Sequence, residues 1–149
     1  MDDLFDDESL GSFADKQTIG PREGYAGILL CASACDGHIA DEEVGALVTS
    51  LMRMKMYQNV PQNQFSKMMD RLLGILKRGG PEKLLDTASP AVPPELRETA
   101  FANACNIVLA DGVVEDDEKE FMNNLVTRME IGKDRAKQII KVMVIKNKG

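Results

Sequence analysis

The chain has 149 residues, of which 44% are apolar and 28% charged, with three Cys, one His and no Trp. That length suits one domain with a single core, and the composition is ordinary for a globular protein. A net charge of −6 argues against general nucleic-acid binding, which needs a cationic surface to displace phosphate counterions. Three thiols and one imidazole are too few for a disulfide scaffold or a zinc finger, and no apolar run is long enough to span a membrane.

Residues 1–19 hold six acids and one Lys, without apolar period. They read as a disordered acidic tail ahead of one helical domain over 20–149. The acidic start is the wrong charge for a signal peptide. Together with an odd number of thiols at apolar helical positions, it implies a cytoplasmic protein.

From residue 21 onward the apolar spacing is helical. Val44, Leu47, Val48 and Leu51 run i, i+3, i+4, i+7. Phe65, Met68, Met69, Leu72, Leu73 and Leu76 repeat the stripe, as do Phe121, Met122, Leu125, Val126 and Met129. Ala136, Ile139, Ile140 and Met143 close the series, so Val142–Ile145 reads as helix despite its strand-like composition. Pro21, Pro61, Pro81 and Pro93-Pro94 suit first turns of helices, where a missing N–H costs nothing. The expected elements are seven helices, over 21–35, 41–57, 61–78, 81–87, 94–109, 116–130 and 133–146. Ser89–Pro94 reads as a non-helical linker between two halves. The fold class is therefore all-α, a compact seven-helix domain of two pseudo-repeated halves.

The pseudo-repeat emerges at an offset of 75 residues. Asp36-Gly37, Ile39, Asp41 and Glu43 fall on Asp111-Gly112, Val114, Asp116 and Glu118; Arg53-Met54 falls on Arg128-Met129. The spacing predicts a corner. Glycine ends one helix in the left-handed conformation. Ile39 or Val114 tucks into the core, and a first turn rich in acids meets the positive end of the next helix. Glu43 and Glu118 stand at N3, where a carboxylate reaches back to the N-cap amide. Ala40 and Glu115 replace the usual Ser or Thr, so the capping box is half-built. The pattern matches positions 5, 6, 8 and 12 of an EF-hand loop. Positions 1 and 3 would be Ala32 and Ala34, or Ile107 and Leu109, none of which ligates calcium.

The doubled Asp-Gly-x-[Ile/Val]-x-x-x-Glu corner, spread over residues 21–146, resembles the TerB family of tellurite-resistance proteins. The resemblance implies a cytoplasmic, non-enzymatic bacterial stress-response protein with a membrane-protein partner of the Ter system. It also implies metal ligands at the two corners: Asp36, Glu43, Asp111 and Glu118. A hard divalent cation, Ca²⁺ or Mg²⁺, suits such oxygens; the competing reading is that the acids only cap helix starts. The family supplies no catalytic residues, and the chain shows no nucleophile–base set and no phosphate loop. The alternatives are a metal-independent interaction domain and a metal-dependent hydrolase built on the same acids.

The remaining candidates are bland. His38 has Val113 as counterpart, and with Cys35 alone it cannot fill a zinc site. Cys31 and Cys35 share a helix face and read as small core residues. Lys133, Arg135, Lys137, Lys141, Lys146 and Lys148 make the last helix basic. That suits a solvated face, or docking to an acidic protein surface or to anionic lipid at the inner membrane face.

Overall fold

The computed structural model describes residues 19–35, 38–110 and 112–149. Among them every regular element is helical and none is a strand. The order is α1 (Pro21–Ser33), α2 (Asp41–Met52), a 3-10 turn (Lys55–Tyr57), α3 (Gln62–Ala88), a second 3-10 turn (Ser89–Ala91), α4 (Pro94–Val108), α5 (Asp116–Arg128) and α6 (Lys133–Lys146). The tail expected over 1–19 lies, apart from Ile19, outside the described residues.

The centre of the core is α1. Every residue from Gly24 to Ala32 is buried, as expected of a helix that is apolar or small on all sides. Around it stand α2, α3, α4 and the Ser89–Ala91 turn, while α5 and α6 pack on α4. Close approach is possible because α1 presents glycine where α3 ends. A Cβ on Gly24 would lie 2.7 Å from the Ala91 Cβ, and one on Gly27 would lie 2.8 Å from the Ala88 Cβ.

The two helices expected over 61–78 and 81–87 meet within α3, whose backbone leaves the helical conformation between them, at Gly80. Gly80 takes φ 80°, ψ 177° and Pro81 opens the second limb. Proline rejects the α region for the residue before it, and only glycine reaches this conformation without strain. The first limb buries Phe65, Met69, Leu72 and Leu76; the second buries Leu84, Leu85 and Ala88. The turn redirects one apolar stripe around α1.

The stretch 89–94 also departs from the linker expected. Ser89–Ala91 forms a 3-10 turn, and Ser89 and Val92 are buried. The Ser89 hydroxyl donates to the Leu85 carbonyl at 2.6 Å, which satisfies it inside the core. A 3-10 turn accepts Pro90 because its early positions need no N–H donor.

Side chains tie the periphery down. The Tyr57 hydroxyl donates to the Arg22 carbonyl at 2.6 Å, and Arg22 Nε donates to the Met56 carbonyl at 2.6 Å. Arg71 of α3 grips Glu23 of α1 with two nitrogens. Arg128 of α5 pairs with Asp86 of α3 at 2.5 Å. Val142–Ile145 continues α6, as the stripe predicts.

Candidate functional site

The two Asp-Gly corners are built alike. In the first, α1 ends at Ser33 and α2 begins at Asp41; in the second, α4 ends at Val108 and α5 begins at Asp116. Both boundaries sit 75 residues apart. Ile39 and Val114 are half-buried against the core, which fixes the angle at which each second helix leaves its corner. His38 and Val113 are exposed.

The glycine acts differently from the helix stop expected. In the second corner α4 ends four residues before Gly112, and Leu109 N–H bonds to the Cys105 carbonyl at 2.9 Å. Gly112 instead closes a turn, its N–H on the Leu109 carbonyl at 3.1 Å, with φ 79°. An L side chain there costs about 1 kcal/mol or more. Gly112→Ala should therefore lower the urea midpoint by an amount corresponding to about 1 kcal/mol. Gly112→Asn should lose less, because asparagine tolerates the left-handed region.

At the helix starts, Glu43 Oε1 accepts the Ala40 N–H at 3.0 Å, and Glu118 Oε1 accepts the Glu115 N–H at 2.8 Å. Both carboxylates therefore engage their own N-cap amides, the half box expected. Ala40 has no side-chain acceptor to complete it. Asp41 and Glu42 precede Glu43, and Asp116 and Asp117 precede Glu118, all at the positive ends of their helices. Asp36, Gly37 and Asp111 lie outside the described residues, so two of the four acids expected as ligands are placed and two are not. Among the described residues, no three His, Cys, Asp or Glu side chains are grouped to hold a metal ion.

One groove encloses about 230 Å³ between Cys35 at the start of the first corner, Pro81 and Glu82 of α3, and Asp117, Glu120 and Phe121 of α5; neither Glu43 nor Glu118 lines it. Cys35 precedes Asp36 in sequence, and Asp117 precedes Glu118. Sequence reading missed Glu82 and Glu120, because nothing in the local pattern says that the second limb of α3 faces α5. A second, apolar groove of about 400 Å³ lies between the second corner and α6.

The fold defines an all-helical protein with two corners in the same register. No helix among the described residues is long and apolar enough to cross a membrane. Comparison of the chain with protein-family models, with curated proteins and with solved structures gives no match. The TerB resemblance therefore rests on the corner residues alone.

Proposed function

We propose that this chain is a TerB-like, non-enzymatic binding module of the stress-response type. Its two corners take a divalent cation, Ca²⁺ or Mg²⁺, and the module docks on a protein or membrane-surface partner in the cytoplasm. In this reading Asp36 and Asp111 are the principal ligands and Glu43 and Glu118 complete the set. The two halves, each a corner followed by a further helix, are the pseudo-repeats of a seven-helix plan in which Gly80 divides the third helix from the fourth. The observation that carries the reading is the groove shared by Cys35 of one corner and Asp117 of the other. A carboxylate has two oxygens, and the helix caps use Oε1 of Glu43 and of Glu118.

Titration of the ¹⁵N-labelled chain with Ca²⁺, then Mg²⁺, should give saturable amide shifts at residues 35–43 and 111–118. Asp36→Asn combined with Asp111→Asn should abolish them. Absence of any metal-dependent shift in the unaltered chain would sink the cation reading.

The specific bonds of Glu43 and Glu118 to their N-cap amides favour a second reading, a metal-independent interaction domain. It expects no metal response. It also expects Glu43→Ala and Glu118→Ala each to cost roughly 0.5–1 kcal/mol of stability, the range of a lost helix cap.

A further inference from the structure

The end of α6 is apolar on two faces: Ile139, Ile140 and Met143 are half-buried against the core, while Val142, Val144 and Ile145 are exposed. Ile139, Ile140, Val142, Met143, Val144 and Ile145 are six apolar residues in seven positions. Val142, Val144 and Ile145 are 60%, 47% and 66% exposed. Of the whole helix, only Ala136 is buried. Beside it runs the 400 Å³ groove, floored by Val108 and Leu109 of α4, Val114 of the second corner and Met122 of α5, with Ile140 and Val144 as its α6 wall. Contiguous exposed β-branched surface of this kind marks a place that something covers.

Charge selects the occupant. Residues 133–148 carry six cations against one acid, so this edge is positive. Residues 19–132 carry eleven cations against seventeen acids. A second copy seated through α6 would set positive on positive. Two stretches of the chain are strongly acidic with apolar residues set among the acids: 111–122, which belongs to the second corner and α5, and 1–18, which precedes the helices. The latter carries six acids against one lysine, with Leu4, Phe5, Leu10 and Phe13 between them. Eighteen residues can span roughly 60 Å, whereas a domain of this size has a diameter of only about 36 Å. The other large apolar groove, at Met54, Met56 and Leu96, has Lys55 in its wall and Arg22 beside it, the latter already engaged with the Met56 carbonyl, against six cations on residues 133–148.

We propose that residues 1–18 dock in cis on the apolar face of α6 and its groove. Their carboxylates meet Lys119, Lys137 and Lys141, and Leu4, Phe5, Leu10 and Phe13 cover the aliphatic side chains.

The test uses the full chain, ¹⁵N-labelled. Phe5→Ser with Phe13→Ser should shift the amides of residues 108–114 and 139–146 and raise amide exchange across 139–146 about tenfold, leaving α1 unchanged. Val144→Ser, at an exposed site, should reciprocally shift amides within residues 1–18. Raising NaCl from about 0.05 to about 0.5 M shortens the screening length from roughly 14 Å to roughly 4 Å and should move the α6 amides in the same direction as the Phe variants. Shifts confined to residues 1–18, or appearing at 54–56 and 96–103 instead, would overturn the proposal. So would a doubling of sedimentation mass that tracks the α6 shifts, which would assign the face to a second copy. Binding of the full chain to phosphatidylcholine vesicles with about 30 mol% phosphatidylserine, lost in Val142→Lys and indifferent to the Phe changes, would assign it to a lipid surface and likewise overturn docking in cis.

Discussion

Gly24→Val should lower the stability of this protein by about 3 kcal/mol or more, the upper end of the range for forcing volume into a packed core. The Cβ alone would stand 2.7 Å from the Ala91 Cβ and 2.9 Å from the Ala88 carbonyl oxygen. Neither neighbour is the mobile end of a side chain. The carbonyl belongs to the end of α3, and Ala91 to the buried 3-10 turn that follows, so relief requires moving α1 off both. Valine adds two methyls to that contact. For a chain of about 150 residues each kcal/mol moves the melting temperature by roughly 2–4 °C, so the expected fall is about 6–12 °C. Gly24→Ala should cost less, about 1–3 kcal/mol. Gly45 is the control. It sits in α2 with nothing within 4 Å of a Cβ, and Gly45→Ala should gain about 0.5–1 kcal/mol from helix propensity. Opposite signs for the same change at two helical glycines would establish that approach distance, rather than backbone freedom, keeps Gly24.

Helical period carried most of the architecture. The stripe through Phe65, Met69, Leu72 and Leu76 and the one through Phe121, Met122 and Leu125 both face the core. The corners begin their second helices at Asp41 and Asp116, and Glu43 and Glu118 reach their N-cap amides. All of these are local consequences of sequence. The central place of α1 was legible too, because Gly24–Ala32 has no polar side, although it was read only as one helix among seven. What escaped was non-local. Gly80-Pro81 marked the break between two helical limbs, but nothing local says that Leu84 and Ala88 of the second limb pack against Gly27 of α1. Ser89–Ala91 looked like a linker because prolines disfavour long helices, but a single 3-10 turn tolerates them and is buried by α1. Likewise, the grooves join residues as distant in sequence as Cys35 and Asn124, so no local pattern announces Glu82 beside Asp117 or Ile140 beside Val108. The stripe on α6 correctly gave helix, but period alone cannot say whether an apolar side chain finds a neighbour.

Alkali should unfold the protein well before its helices would otherwise fail. Burial, and secondarily the nearby Cys35 thiol, pushes the Cys31 thiol far up. Burial pushes Cys105 up to about 12. Burial raises Tyr57 and, against a hydrogen bond from Asn103, Tyr25 as well. All four ionise to anions, so the folded state keeps protons that the unfolded chain has released. Stability is then fully present below the ordinary thiol pKa of 9.0. It falls as pH rises from there toward the folded values, with the tyrosines joining above 10.0. Each such group removes up to about 1.4 kcal/mol per pH unit in its window. By pH 11 the two thiols alone account for roughly 5 kcal/mol, comparable with the net stability of a typical domain. Urea unfolding should therefore show a flat midpoint from pH 7 to 8.5 and a steep fall between 9 and 11. Cys31→Ala with Cys105→Ala should remove most of the slope between 9 and 10, where the thiols outweigh the tyrosines. An unchanged slope in that variant would mean that water reaches the thiols beside α1 and α4, and that the core centred on α1 is looser than its buried surface indicates.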